Sequence, residues 1–282
     1  MSPLQFLTDL LNPDLAFLPK ALTVATLAAI MCGVVGCYVV LRGMAFIGDA
    51  VAHAVFPGLA VAFLLSGSLV AGGTVAGVVT ALLVSVFAQD RRLREDSVIG
   101  IFFVAAFALG IVIISRAPGY AGSLQQFLFG SITGISERDL YVVGGATIAV
   151  LLTVLVLHKE FVAVTLDREM ARALRLPVFR LDLVLYVLVA VAVVMAVQTI
   201  GNILVLALLV TPAATARLLT DRLPVMMVLA PVVGAGCSVA GLYLSWSWDL
   251  PVGGTIVLTL TGAFLVAQVL APRHGLVARF AS

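Results

Sequence analysis

Two ionisable residues inside an apolar stretch have the spacing that metal chemistry needs. Asp49 and His53 are four positions apart, so in a helix their side chains share one face, about 6 Å apart along the axis. An ionised side chain within a membrane span costs roughly 2.5–3.5 kcal/mol, and such residues usually face an interior path or a partner. A carboxylate oxygen and an imidazole nitrogen together suit manganese, zinc and iron. The pattern predicts a metal-binding pair; the alternative is that the two residues bond only to each other or to neighbouring helices.

The number of strong ligands in one chain also bears on this prediction. Within the predicted spans only Asp49 and His53 qualify, because His158 and His274 fall at predicted inner ends. Two copies facing each other would supply two oxygens and two nitrogens, enough for a four-ligand site. The ligand count therefore favours a pore formed by two copies of the chain.

A second candidate lies in the charged loop at residues 158–182, where Leu166 to Pro177 form a short amphipathic stretch. Asp167 is a suitable N-cap and Pro177 ends the predicted helix. The apolar residues on one side are Leu166, Met170, Ala173 and Leu174. Such a helix could dock in a groove on a soluble partner, and the alternative is a helix lying on the lipid headgroups.

A third candidate is the proline in the apolar run from Gly201 to Ala216. Pro212 withdraws a backbone donor, which predicts a kink and a carbonyl one turn earlier that Thr211, Thr215 or water could contact. The kink could equally serve packing alone. Gly73 and Gly77 form a GxxxG pair elsewhere, which predicts a close approach of two helices.

The composition shows which elements must carry these residues. The chain has 282 residues, of which 62% are apolar and 11% charged, whereas a soluble domain carries roughly 25% charged residues. A span needs roughly 20 apolar residues, so eight or nine spans occupy the whole length. We therefore predict an all-α, polytopic transmembrane helical bundle forming a single domain, 1–282. The candidate spans are 18–41, 44–66, 69–88, 98–115, 139–157, 182–200, 201–220, 224–245 and 252–271.

The distribution of basic residues predicts the orientation of this bundle. With nine spans and the N-terminus outside, all but three of the 16 Lys and Arg residues fall at inner positions. The three outer ones are Lys20, Arg116 and Arg138. The positive-inside rule therefore favours an outside N-terminus and an inside C-terminus. The polar segment 117–138 is predicted to form a short outer or re-entrant helix.

Several classes of function are disfavoured by the sequence. A net charge of +2 with no basic patch gives no reason to expect a nucleic-acid partner. The GxxxxGK[ST] motif is absent and there are only two lysines, Lys20 and Lys159, so this chain does not itself cradle ATP phosphates. The HExxH and GxSxG motifs are absent as well, which removes the simplest protease and hydrolase readings. The expectation is a transport subunit without its own enzymatic site or cofactor.

The order of several motifs resembles the permeases of the zinc/manganese/iron class of bacterial ABC importers. The motifs run through nearly the whole chain: Gly48-Asp49-Ala50 with His53-Ala54 and Pro57-Gly58, Phe127 to Gly130, Asp167 to Pro177, Leu208 to Val210 with Pro212 to Ala216, and Asp249 to Pro251 with Gly253. The resemblance implies the ABC importer permease fold in the bacterial cytoplasmic membrane. It also implies that Asp49 and His53 line the path of a divalent metal.

The same resemblance implies partners. These are a second permease copy in a homodimer or heterodimer, cytoplasmic ATPase subunits that bind the ATP, and an extracytoplasmic metal-binding protein. The coupling helix towards the ATPase would comprise Asp167, Arg168, Met170, Ala171, Leu174, Leu176 and Pro177. Pro57 after His53 resembles manganese-type members, so manganese is slightly favoured over zinc or iron. The rival function is a secondary transporter or channel in which the pair relays protons or forms a filter.

Overall fold

The computed structural model describes residues 3–88, 95–115 and 135–271. Across these ranges the regular elements are all helices, and no strand occurs among them. The predicted helix in 117–138 lies, apart from its last four residues, outside the described residues, as does the motif from Phe127 to Gly130.

The helices follow one another with short connections. They are α1 (Pro3–Leu10), α2 (Phe17–Leu41), α3 (Ile47–Ala54), α4 (Phe56–Leu64), α5 (Leu69–Phe87), α6 (Glu95–Ile114), α7 (Glu137–Val156), α8 (His158–Leu166), α9 (Arg168–Ala173), α10 (Val178–Ile200), α11 (Asn202–Leu219), α12 (Leu223–Trp248) and α13 (Val252–Leu270), with a 3-10 turn at Pro13–Leu15.

Eight segments in the described ranges are long and apolar enough to cross a membrane. They are α2, α3 with α4 as one span (Ile47–Leu64), α5, α6, α7, α10, α12 and α13. The predicted multi-pass helical bundle is thus confirmed with eight spans. The predicted ninth span corresponds to α11, whose apolar part Leu204–Leu219 is shorter. The turn predicted between α10 and α11 consists of Gly201 alone, with a φ of +88°.

Helix α2 lies at the centre of the bundle and is buried along most of its length. It packs against α7, α10, α11 and α12. Small residues allow these contacts: a Cβ on Gly36 would lie 1.9 Å from the carbonyl oxygen of Leu209 in α11, and one on Gly33 would lie 2.9 Å from the backbone nitrogen of Pro231 in α12. Close backbone contact of this kind is how helices associate in lipid, where apolar side chains gain little from leaving the solvent.

The close approach predicted at the GxxxG pair is found at Gly77, and the neighbouring Gly72 makes a second, closer one. Gly72 in α5 meets Gly58 in α4, and a Cβ on Gly58 would lie 2.1 Å from the Gly72 carbonyl oxygen. A Cβ on Gly77 would lie 3.2 Å from Cγ2 of Val194 in α10. One residue turns a helix by about 100°, so Gly72 and Gly77 face different partners, and the GxxxG pattern did not include Gly72.

The loop between α7 and α10 differs in detail from the single helix predicted over 166–177. Leu166 ends α8, and Asp167 is extended and caps the next helix, as predicted: its Oδ1 accepts from the backbone N–H groups of Glu169 (2.8 Å) and Met170 (3.0 Å). Helix α9 is only six residues long. It ends before Pro177 because Arg175 turns into the left-handed region, with a φ of +59°.

Candidate metal site

Asp49 and His53 lie on α3, the first half of a span that is interrupted at Val55. Pro57, at the start of α4, has no N–H to donate to the carbonyl of His53 four residues earlier. The interruption therefore follows directly from the sequence. The missing hydrogen bond lies immediately after the two candidate ligands, but Val55 keeps a helical conformation and the N–H of Leu59 still bonds to its carbonyl at 3.1 Å.

The two side chains share one face of α3, as their spacing predicts. Nε2 of His53 lies 3.6 Å from Oδ1 of Asp49, which is longer than a good N–H···O hydrogen bond of about 2.7–3.2 Å. The side chains keep 20% (His53) and 41% (Asp49) of their surface exposed. Both side chains are therefore partly exposed on the single chain.

Contacts with neighbouring helices place this pair near the middle depth of the bundle. The rings of Phe103 and Phe107, midway along α6, each lie 5.2 Å from the His53 imidazole, centre to centre. On the other side, a Cβ on Gly48 would lie 2.6 Å from Cδ2 of Leu209, which is midway along α11. Contacts with α6 and with α11 thus both place the pair at the same depth.

Asp49 and His53 are the only two predicted metal ligands, and the structure adds no third one within the described residues. Across residues 3–88, 95–115 and 135–271, no cluster of three or more His, Cys, Asp or Glu side chains could hold a metal ion. The imidazole of His158 is engaged elsewhere, with Nδ1 2.9 Å from the hydroxyl of Tyr38. A closed coordination shell around this pair would therefore need ligands from beyond the described residues, from a second copy or from water.

The predicted coupling residues on α9 and beside it divide into a buried side and an exposed side. Ala171 is buried, whereas Met170 and Leu174, together with Leu166 before the helix, are largely exposed. Leu176 is half-buried and Pro177 leads into α10. The exposed apolar side matches the predicted stripe, except that Leu166 belongs to the preceding helix.

A buried charged group at the end of the bundle that carries α9 was not predicted from the sequence. Oδ1 of Asp182 in α10 accepts from Nη1 of Arg42 at 2.6 Å, and its Oδ2 accepts from Nη2 of Arg168 in α9. The side chains of Arg42 and Asp182 are only 6% and 7% exposed. Nε of Arg42 also donates to Thr165 Oγ1 at 3.2 Å. We name Arg42, Arg168 and Asp182 the inner charge cluster.

One member of this cluster, Asp182, could have been recognised from the sequence. Asp182 is the only acid in the predicted span 182–200, and it begins that span five residues after Pro177. An acid at this position requires a partner. The identity of the partner was not readable, since Arg42 is 140 residues away in the chain.

The third predicted candidate has a local role in the structure. Thr215 donates to the carbonyl of Thr211 at 2.7 Å, not to the carbonyl one turn before Pro212. Thr211 also borders a cavity of about 350 Å³ between α11, α13 and the Ala45–Phe46 turn before α3.

Comparison with known proteins identifies relatives of this chain, which the geometry of the site alone does not. A sequence model of the family described as the ABC 3 transport family matches residues 14–271. The manganese transport system membrane protein MntC of Halalkalibacterium halodurans is 42% identical over 280 residues, covering 99% of this chain and 96% of that protein. The chelated iron transport system membrane protein YfeC of Yersinia pestis is 37% identical over 262 residues, covering 93% of this chain and 89% of that one.

A solved structure agrees with these sequence relatives. It is described as PsaBC from Streptococcus pneumoniae in complex with Fab, and one of its chains superposes with a TM-score of 0.86 at 34% identity. The match covers 97% of this chain and 98% of that chain.

Proposed function

Because this chain belongs to the ABC 3 transport family, we propose that it is the permease subunit of an ATP-driven importer of a divalent transition-metal ion. The predicted ABC importer permease fold is confirmed by the family match and the superposition, and the chain is a multi-pass protein of the bacterial cytoplasmic membrane. Manganese is the favoured substrate, because the MntC relative, described as a manganese transport protein, is more similar (42% identity) than the YfeC relative, described as a chelated iron transport protein (37%).

The observation that carries the proposal is the accessible Asp49–His53 pair at the middle depth of the bundle. Two copies of the chain facing each other would bring two carboxylates and two imidazoles to one place, a mixed oxygen and nitrogen set that suits manganese or iron. Nε2 of His53 and Oδ1 of Asp49 lie 3.6 Å apart on one helix face, so both could approach the same ion. The metal is substrate here, so each copy should hold it only transiently.

Energy for transport would come from separate cytoplasmic ATPase subunits that bind the ATP. The exposed Met170 and Leu174 on α9 offer an apolar ridge of the kind that inserts into a partner's groove. Movement of that ridge as the ATPases close would switch the access of Asp49 and His53 from one side of the membrane to the other. The chain itself acts as a transport subunit and catalyses no reaction.

The two ends of the bundle fit the proposed orientation. The α1 segment joins the end of α12, where Nε1 of Trp246 donates to Asp9 Oδ2 at 2.9 Å; aromatic residues of this type favour a membrane interface. This end would face outside, where an extracytoplasmic metal-binding protein delivers the ion. Helix α11 has 18 residues and is about 27 Å long, so as a ninth crossing it would put the C-terminus inside.

The test is metal uptake by proteoliposomes that contain the complete complex with its ATPase, loaded with ATP. Asp49→Asn and His53→Gln should each reduce Mn²⁺ uptake at least about tenfold, because each removes one of the few ligands. Asp139→Asn, in the capping box at the start of α7, and His158→Gln are the matched controls and should keep most of the uptake. Normal uptake by both pair variants would refute the metal path.

The same assay separates the rival transport mechanism. Uptake that continues without ATP and follows a proton gradient would favour a secondary transporter or channel, with Asp49 and His53 as a proton relay. Uptake that stops when ATP is omitted supports the importer.

A further inference from the structure

We propose that the inner charge cluster is the mechanical link between α9 and the helix that carries Asp49 and His53, with Asp182 as the positioning residue. This inference rests on the proposed function and names the residues through which movement at the ATPase side would reach the metal pair. It assigns a role to Arg42 and Asp182, neither of which touches the metal or the ATPase ridge.

The first step is the attachment of α9 to α10. The carboxylate of Asp182 uses one oxygen for Arg168 in α9 and the other for Arg42 at the end of α2. Arg42 and Asp182 are almost completely buried, and separating a buried ion pair leaves a charge without compensation. The three side chains are therefore expected to move as one unit.

The second step is the path from Arg42 to α3. Arg42 caps α2 and is followed by Gly43 in the left-handed region, with a φ of +70°. The chain then reverses: the N–H of Met44 bonds to the carbonyl of Val39 at 3.0 Å, and the N–H of Ile47, the first residue of α3, bonds to the carbonyl of Met44 at 3.1 Å. Only five residues separate α2 from α3, so a displacement of Arg42 reaches α3 through a short, hydrogen-bonded turn.

The third step is that α10 contacts the connection between α2 and α3 through two residues that lie one helical turn apart. Asp182 binds Arg42, and Tyr186, four residues later, donates its hydroxyl to the Met44 sulfur at 3.6 Å. Met44 and Tyr186 are both buried. Residues four apart lie on one face of a helix, so one face of α10 holds both ends of the 42–44 turn. A shift of α10 would therefore carry the turn, and α3 after it, as a body.

A link of this kind makes a prediction that a purely structural salt bridge does not. If the cluster transmits movement, loosening it separates ATP hydrolysis from metal transport while the metal pair itself stays intact. If it only stabilises the fold, hydrolysis, binding and uptake fall together with the amount of folded complex.

The experiment uses the complete complex in proteoliposomes and measures three quantities: Mn²⁺ uptake, ATP hydrolysis, and the Kd for Mn²⁺ in detergent. Asp182→Asn should lower the uptake per ATP hydrolysed at least about fivefold, which is the lower end of typical coupling between two sites. The Kd for Mn²⁺ should stay within about threefold of the wild-type value, since a tenfold change would correspond to about 1.4 kcal/mol. Asp221→Asn, which breaks an exposed Arg217–Asp221 pair of 3.5 Å, is the control and should keep the wild-type ratio.

A second variant covers the case in which Asp182→Asn does not fold. Arg42→Gln leaves Asp182 paired with Arg168 and leaves the exposed ridge of α9 unchanged; it should show the same loss of uptake per ATP. Arg42→Lys, which keeps the charge, should recover part of that ratio. A wild-type ratio in both Asp182→Asn and Arg42→Gln would overturn the link, and so would a proportional fall of hydrolysis, binding and uptake.

Failure of this inference is distinguishable from failure of the proposed function. If the wild-type complex shows no ATP-dependent Mn²⁺ uptake, the importer proposal fails. If the wild type transports, Asp49→Asn does not, and the cluster variants keep the wild-type ratio, only the link fails.

Discussion

The Asp49–His53 pair and the inner charge cluster both place ionisable side chains inside an apolar bundle, yet their surroundings differ. The pair is half-exposed, its two partners are 3.6 Å apart, and phenylalanine rings border it. In the cluster, Arg42 and Asp182 are buried and 2.6 Å apart, and a second arginine binds the other oxygen of Asp182. Both oxygens of Asp182 are bound by arginines of the same chain, whereas the side chains of the pair keep 20% (His53) and 41% (Asp49) of their surface exposed.

This difference teaches how charge in a membrane bundle can be divided between two roles. A buried carboxylate with two arginines is expensive to break and holds helices together. An accessible, loosely paired acid and imidazole contribute little to holding the fold, and an intramembrane group of that kind points to function.

The largest predicted effect concerns stability. Asp182→Ala should lower the free energy of unfolding by about 3–5 kcal/mol, because Arg42 would remain buried without a counter-charge. Asp49→Ala should change it by no more than about 1 kcal/mol, the range for accessible pairs. Detergent-solubilised protein titrated with SDS and followed by circular dichroism measures both. Equal losses for the two variants would remove the distinction drawn between the two regions.

The next effect concerns the packing behind the pair, where Gly36 and Gly48 both face Leu209. Gly36→Ala should cost about 1–3 kcal/mol because its Cβ would meet backbone, the Leu209 carbonyl, at 1.9 Å. Gly48→Ala should cost less, since its Cβ would meet the flexible end of the Leu209 side chain at 2.6 Å. Gly145→Ala, with open space around its Cβ, is the control in the same titration. A larger loss for Gly48 than for Gly36 would contradict this account.

A smaller effect should appear in metal affinity when the ring wall beside His53 is changed. Phe107→Leu removes an aromatic contact of 5.2 Å, worth about 0.5–1.5 kcal/mol, and should raise the Kd for Mn²⁺ by about two- to tenfold. Phe87→Leu removes the Phe87–Phe102 contact, also 5.2 Å, but away from His53. The same Kd in wild type and Phe107→Leu would show that the ring wall does not position the imidazole.

The smallest predicted effect is at the end of α9. Arg175 adopts a left-handed conformation with a φ of +59°, which costs a residue other than glycine about 1–2 kcal/mol. Arg175→Gly relieves this strain but adds freedom to the unfolded chain, so the net gain in stability should be about 0.5 kcal/mol. A higher melting temperature of the Arg175→Gly complex would show this gain. A clearly lower one would mean that contacts of the Arg175 side chain stabilise α9.

Much of the fold was predictable because membrane spans are read from local composition. A run of about 20 apolar residues must be helical in lipid, since every backbone group needs an internal partner. The spans were therefore predicted close to their observed ends, and Asp167 was recognised as an N-cap from its position alone. Details that depend on which side of a helix meets a neighbour, such as the backbone contact between Gly72 and Gly58, were not predicted.

The sequence by itself determined that Asp49 and His53 share a helix face, because residues four apart always do. Only the tertiary structure decided that the pair lies beside Phe103 and Leu209 at mid-depth, and that Arg42 meets Asp182 across 140 residues of chain. Periodicity reports which way a side chain points from its own helix. Which helix stands opposite is decided by the packing of the whole bundle.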